Sequence, residues 1–363
     1  CRITGLSGFT LSPAAGSHGE LTGVMVIKKY FESMGETRDT ILIPDSAHGT
    51  NPASVAMCGF KVKEVASDSQ GNVDIEKFMS MLDKNVAAMM LTCPNTLGLF
   101  DRNIEAIAGA LHENGSLFYA DGANLNALAG RVRFRDIGFD LMHINLHKTF
   151  STPHGGGGPG SGPLGAAGHL VKFLPEPIVL KEGDTYRLLH DMPDSIGRIH
   201  SFSGNFSICL RAYIYIRMLG SEGLREVSDT AVLNANYLMS GLKKVFNLPI
   251  ERRCMHEFIL NDKGLPGGIT TNDISKRIQD FGFHSPTVYF PLLIHGAMMI
   301  EPTETETLST LDRFIEVMKK IRSECETDPG TILNAPVSTP VRRVDTVLAA
   351  KRPVLRWTDE SGE

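Results

Sequence analysis

The stretch Phe139-Asp140-Leu141-Met142-His143-Ile144-Asn145-Leu146-His147-Lys148-Thr149-Phe150-Ser151-Thr152-Pro153-His154 runs straight into Gly155–Gly158 and Pro159-Gly160-Ser161-Gly162-Pro163. The run Phe139 to Leu146 reads as a buried strand. A lysine at the end of such a strand is desolvated. That lowers its pKa and frees the amine to form a Schiff base. Four consecutive glycines suit neither helix nor strand and let the backbone approach a ligand closely. By itself Lys148 also reads as a surface lysine before a flexible loop, so its meaning depends on what precedes it.

Upstream, strands and helices alternate. Strands are predicted at Thr40–Asp45, Lys61–Ala66, Val86–Thr92, Ser116–Ala120 and Asp140–Leu146, with helices between them at Asp74–Leu82 and Asn103–His112. This rhythm predicts a mostly parallel sheet flanked by helices. Its strand-end turns, around His48, Ser67, Asn95, Asp121 and Lys148, share one edge, where open α/β sheets bind ligands. Asp121 ends an apolar strand 27 residues before Lys148. A carboxylate desolvated there needs a cationic partner, unless it caps the short helix predicted at Asn124–Leu128. Near the start, Ser17 and Glu20 have capping-box spacing ahead of Leu21, Val24, Met25, Ile27 and Phe31. The predicted helix start, among small residues, is suited to a phosphate. Asn51-Pro52 reads as a second helix start, which leaves His48 in the turn before it.

Beyond the glycines, Gly162–Gly168 reads as a further strand and Pro175–His200 as polar loop, in which Arg198 can clamp a carboxylate. Two long helices are predicted, Asn205–Leu219 and Gly223–Phe246, and we expect the domain boundary between them, giving domains at 1–220 and 221–363. The second domain reads as α+β. Its predicted strands are Cys254–Leu260, Thr287–Leu293 and Met298–Glu301, its helices Asn272–Phe281 and one opened by a Thr303/Glu306 capping box, and its tail (334–357) lies over the surface.

Composition bounds the function. With 363 residues, 42% hydrophobic, 21% charged and net charge −5, the chain is an ordinary globular sequence without the basic block of a nucleic-acid binder. Its apolar runs fall short of a membrane span. The six cysteines form no CxxC pair, which speaks against a zinc site or disulfide framework and for a reducing compartment. The chain opens at Cys1 without an initiator Met and reads as the remainder of a longer protein.

A phosphate-ready helix start, an aspartate at a strand end and a lysine in a later strand-end loop, in this order, match the layout of a fold-type I pyridoxal phosphate (PLP) enzyme. The resemblance then narrows. PAAGSHGELTG (13–23), PDSAHGTNPAS (44–54), CPNTLGLFDRNI (93–104), DGANLNA (121–127), NLHKTFSTPHGGGGPGSGP (145–163), CMHEF (254–258), PTVYFPL (286–292) and MMIEPTETE (298–306) resemble the cofactor-bearing half of the glycine decarboxylase family, the P-protein of the glycine cleavage system. The resemblance covers nearly the whole chain, without the family's PLGSCTMK-like upstream segment. It implies that Lys148 carries PLP covalently, that Asp121 keeps the pyridine nitrogen protonated and that His48 stacks on the ring. It makes Ala15, Gly16 and Ser17 the phosphate cradle, and Thr50, Asn95, Thr96, Ala123 and His147 further pocket residues. It also implies glycine as substrate, the lipoyl arm of the H-protein as acceptor, and a cofactor-free partner half, separate (subunit 1, in a heterotetramer) or fused. The location would be bacterial or archaeal cytoplasm or mitochondrial matrix. The Gly155–Gly158 loop is expected to gate or line the acceptor channel. Another fold-type I enzyme, such as an amino-acid decarboxylase, or a non-enzymatic scaffold half are the alternative readings.

Overall fold

The computed structural model describes residues 1–152, 154 and 158–356. The large unit begins with β1 (Gly8–Thr10), α1 (Gly16–Ser33), β2 (Thr40–Pro44), α2 (Thr50–Met57), β3 (Lys61–Val65), α3 (Ile75–Met81), β4 (Val86–Thr92) and α4 (Ile104–Glu113). It continues through β5 (Leu117–Gly122), α5 (Phe134–Ile137), β6 (Leu141–Ile144), the one-turn α6 (Leu146–Thr149), β7 (Leu164–Ala166) and a hairpin of β8 (Ile178–Glu182) and β9 (Thr185–Leu189). The long α7 (Phe206–Leu242) leads to β10 (Phe258–Asn261), α8 (Thr271–Asp280), β11 (Thr287–Val288), β12 (Ala297–Ile300), α9 (Leu308–Thr327), α10 (Pro329–Asn334) and α11 (Thr346–Lys351).

Seven strands form one sheet in the order β1-β7-β6-β5-β4-β2-β3. The five from β6 to β3 are parallel, as their alternation with helices predicts, and β7 runs against both neighbours. Strands β4 and β5 are buried along their whole length, the pattern of strands covered on both faces. Ile41, Ala88 and Met90 pack with Val24, Ile27 and Phe31 of α1 on one face. Leu42, Met89 and Leu91 pack with Ile104, Ile107 and Leu111 of α4 on the other. Edge strand β3 carries Lys61 and Lys63, charges that discourage further strand pairing. All five parallel strands end on the edge that carries His48, Asp121 and Lys148.

A second core lies around the antiparallel sheet β10-β12-β11, where Phe258, Leu260 and Met298 pack with Ile274, Ile278, Leu311 and Ile321. The two helices predicted around residue 220 are halves of α7, bent at Gly220 (φ 64°, ψ −164°). Ile208, Ala212 and Leu224 belong to the first core, Ala235 and Leu238 to the second. The change of core falls further along the same helix, between Val232 and Ala235, and we propose the kink as the division between 1–220 and 221–363.

Several local expectations change. Ser17 and Glu20 form no capping box: Ala15 is the N-cap without a side-chain bond, and Glu20 turns inward. Helix α2 starts at Thr50, so Asn51 lies within its first turn, fully buried. Helix α9 is capped by Thr307, which accepts from the Thr310 N–H, and not opened at Thr303; the capping box is formed by Thr270 and Asp273 on α8. Only Thr287–Val288 of the segment to Leu293 pairs as a strand, and the loop expected at Pro175–His200 holds the β8–β9 hairpin. Arg343 in the tail pairs with Asp273 at 2.7 Å, which holds that part of the tail on the small unit. Among the described residues no helix is long and apolar enough to cross a membrane.

Candidate active site

A cavity of about 600 Å³ opens at the C-terminal ends of β4, β5 and β6, under the small unit. Ala15, Gly16, Ser17, His48, Thr50, Thr96, Asp121, Ala123, His147 and Lys148 all line it. Asn95 does not. It is 4% exposed, and its amide donates to the Gly71 carbonyl and accepts from the N–H groups of Leu97 and Leu99, so it shapes the turn after β4. Arg198 also lies elsewhere, exposed beside His190.

Lys148 sits on α6, whose turn buries Leu146 and Thr149 and directs Lys148 into the cavity. It is exposed, and it makes no ion pair among the described residues. The desolvation expected of a strand-end lysine is absent because β6 stops at Ile144 and Asn145 caps the turn. Of the glycine loop, Gly155–Gly157 lie outside the described residues, and with them most of the expected gate. The loop's far end is fastened to the phosphate-side turn by the Gly162 N–H on the Pro13 carbonyl, at 3.1 Å.

Asp121, 2% exposed, is the most elaborately held group. Its Oδ2 accepts from Asn51 Nδ2 at 3.1 Å and Thr92 Oγ1 at 3.3 Å, and its Oδ1 from the Ala123 N–H at 3.0 Å. His143 Nε2 lies 3.2 Å from Oδ1, ion-pair distance, but is not aligned for a hydrogen bond. Burial pushes the Asp121 carboxyl up; the His143 charge and the donors outweigh it and hold the group well below the usual carboxylate range. Burial lowers the His143 pKa, and Asp121 and Glu20 more than reverse that, so it is raised. The other His143 nitrogen meets Tyr119 Oη at 2.9 Å. Glu20 accepts from Thr50 Oγ1 at 3.0 Å, and burial raises its pKa. The aspartate thus stands charged at the cavity wall.

His48 Nδ1 contacts Thr50 Oγ1 at 2.8 Å, and its ring meets Phe290 edge-on at 5.5 Å. Its pKa is lowered, first by burial, then by the Lys148 and His143 charges, so a neutral ring faces the cavity at neutral pH. His147 stands 3.8 Å from the His154 ring, and burial, His154 and Lys148 lower its pKa to about 4.

Motif reading missed His143, Asn51 and Glu20. His143 is a titratable residue inside an otherwise apolar strand, a signal available in the sequence, since such a residue needs a buried partner. Asn51 and Glu20 stand at helix-cap spacing, which hides their inward role. From the small unit, Glu257 and Glu301 also line the cavity. The Gly98 carbonyl accepts the Met255 N–H at 2.7 Å, and a Cβ on Gly98, at φ +73°, would collide with the Glu257 carbonyl. Gly98→Ala is therefore expected to lower unfolding stability by about 2–3 kcal/mol, read as a shift in the denaturant midpoint; an unchanged midpoint would show that this joint yields freely.

The residues present fit PLP. An exposed amine faces a charged, buried carboxylate across one cavity. Gly16 leaves a hollow that a Cβ would close against the Asn145 amide, where Asn145 Oδ1 is buried without a partner. The Ser17 side chain is exposed at the N-terminus of α1, an end suited to an anion.

The family described as glycine dehydrogenase, C-terminal domain, matches residues 227–335, and the class-V aminotransferase family matches residues 19–157. A protein from Fervidobacterium nodosum named probable glycine dehydrogenase (decarboxylating) subunit 2 is 54% identical over 361 residues, 98% of this chain and 76% of the relative. The protein of the same name from Thermotoga maritima gives 54%, 98% and 76%. Among solved structures, inhibitor-bound glycine decarboxylase (P-protein) aligns with TM-score 0.75 at 21% identity, covering 88% of this chain and 73% of that one. A cysteine desulfurase from Thermococcus onnurineus aligns with TM-score 0.67 at 16% identity, covering 87% and 79%. At that identity it shares the fold alone; the 54% identity to the glycine dehydrogenase relatives favours their family over another enzyme of this fold. With more than half of its residues identical to those relatives over nearly its whole length, this chain belongs to the glycine dehydrogenase (decarboxylating) subunit 2 family.

Proposed function

We propose that the chain is the catalytic subunit of a glycine dehydrogenase (decarboxylating), which releases CO2 from glycine and passes the aminomethyl group to the lipoyl arm of the H-protein. The observation that carries this reading is the charged, buried Asp121 facing the exposed Lys148 across one cavity. Lys148 would hold PLP through Nζ, Asp121 would keep a proton on the ring nitrogen, His48 would lie on the ring face, and Ala15–Ser17 would take the phosphate. When bound, the cofactor supplies an electron sink for the pair left as glycine loses CO2. Asp121 performs its part by staying ionised: His143, Asn51, Thr92 and the Ala123 N–H all favour its charge. The neutral His48 ring covers the site without adding a second cation. Lys148 Nζ, free of ion pairs among the described residues, can take and return a proton. The name subunit 2 in the relatives supports a cofactor-free subunit 1 as partner, and their bacterial sources support a cytoplasmic location.

The test is a visible absorption band on adding PLP, followed by borohydride reduction and peptide mapping. The reduced label is expected on Lys148, and the holoenzyme with subunit 1 is expected to exchange labelled CO2 into glycine only when H-protein is present. A label on another lysine, or exchange independent of H-protein, would overturn the reading.

A further inference from the structure

Glu257 has no part in the account above, yet it lines the same cavity as Lys148 and is only 2% exposed. It is rigidly placed: the turn after β4 holds it through the Met255–Gly98 hydrogen bond and through Gly98 against its own carbonyl. Beside it, His256 is fully buried with neither ring nitrogen hydrogen-bonded among the described residues. His256 Nε2 lies 3.6 Å from Glu257 Oε2 and 4.0 Å from Glu301 Oε1. The Glu301 side chain is 41% exposed and accepts from Asn126 Nδ2 at 3.1 Å. These three groups make a file from the partly exposed Glu301 to the buried Glu257, with 4.0 and 3.6 Å between successive polar atoms.

The overall reaction needs a proton at the acceptor. The C–C bond to the carboxylate breaks and CO2 leaves. The electron pair of that bond makes the new C–S bond, and the acceptor's S–S bond breaks with its pair on the outgoing sulfur. That sulfur becomes a thiol only by taking up one proton, so glycine, disulfide and one proton give aminomethyl thioether, thiol and CO2. We propose that Glu257 is the acid that protonates the outgoing sulfur, and that Glu301 and His256 return the proton to it from solvent. This rests on the reading that glycine and a disulfide acceptor meet at Lys148. Among the described residues, the charged or titratable groups facing Glu257 are His256 beside it, the buried Cys254 three residues before it, Glu301 at the end of β12 and Lys148 on α6. Burial first, and the Glu301 charge second, raise its pKa well above the carboxylate range, against the opposing Lys148 charge. The acid form, which a proton donor requires, is therefore favoured. Burial lowers the His256 pKa, so the imidazole between the two carboxyl groups is neutral and able to pass a proton.

The experiment measures aminomethyl transfer from glycine to lipoylated H-protein, across pH, for the holoenzyme with subunit 1 and for Glu257→Gln, Glu257→Asp and Glu301→Gln. Glu257→Gln is expected to take up PLP with the borohydride label still on Lys148, to lose about 100-fold in transfer and to lose the alkaline fall-off of the wild-type rate. Glu257→Asp should keep an alkaline fall-off, and Glu301→Gln should move it to lower pH, because one charge that raises the Glu257 pKa is gone. If the wild type transfers nothing to a disulfide acceptor, the functional reading fails. If the wild type transfers and Glu257→Gln keeps both rate and fall-off, the proton-donor role is overturned. If Glu257→Gln does not take up cofactor, Glu301→Gln decides: an unmoved fall-off overturns the role and a fall-off at lower pH supports it.

Discussion

Replacing Lys148 with alanine is expected to abolish borohydride-fixed labelling and to lower glycine turnover by roughly 10⁴-fold, the upper range for removing a positioned proton-transfer group. Two functions disappear together, because the same Nζ would anchor the cofactor and move protons. Added PLP should still bind, reversibly, since Asp121 and the start of α1 remain, and dialysis should remove it. Stability should hardly change. Lys148 is exposed, and it has no ion pair among the described residues, so its loss leaves no buried group unsatisfied. Apo-protein unfolding within about 0.5 kcal/mol of wild type is the expected control. Lys148→Arg keeps the charge but not the nucleophilic amine and should fail in the same way. A Lys148→Ala protein that retains more than a few per cent of its turnover, or keeps its label, would show that another residue carries the chemistry.

The edge of the sheet that forms the site follows directly from the sequence. Four apolar runs and one charged edge strand end in polar turns, and a parallel sheet puts all those ends together. The order of Gly16, Asp121 and Lys148 therefore survives folding as a spatial arrangement. What was illegible is how each group is held. Ser17, Glu20, Asn51 and Thr303 all occupy positions where local cap rules apply, yet the structure caps its helices elsewhere. For Glu20 and Asn51 the reason is tertiary: they are drawn inward by His143, Thr50 and Asp121. A buried carboxylate recruits donors from distant elements, and spacing along the chain carries no information about that. Asn95 shows the converse. Its place at a strand end suggested the pocket, but its amide is fully used within its own turn. The small-unit residues Glu257 and Glu301 lie on the cavity only because the Gly98 turn docks against Met255–Glu257, a contact some 160 residues apart that no local pattern announces.

Asp121→Asn is expected to lower turnover by roughly 10²–10³-fold, the range for losing one preorganised electrostatic contact, while Lys148 remains labelled. The amide keeps the size of the carboxylate but not its charge, so the ring nitrogen of the cofactor would lose the partner that holds its proton. The second consequence falls on the protein. His143 is fully buried, and its pKa is raised mainly by Asp121. Removing one member of a buried ion pair costs about 3–5 kcal/mol when the other stays charged; His143 can shed its proton, so the loss in the apo-protein should fall below that range at neutral pH. The signs fix the pH window. A depressed Asp121 contributes stability that is present above the ordinary carboxylate pKa of about 4 and is lost as pH falls through its lower folded value. A raised His143 contributes stability that is fully present below about 6.5 and is lost as pH rises through its higher folded value. Wild-type stability should therefore exceed that of Asp121→Asn most between about pH 4 and 6.5, and the gap should narrow on either side. Urea unfolding of both apo-proteins across that range measures it. A gap independent of pH would mean that Asp121 stabilises the chain through its hydrogen bonds to Asn51, Thr92 and Ala123 and not through its pairing with His143.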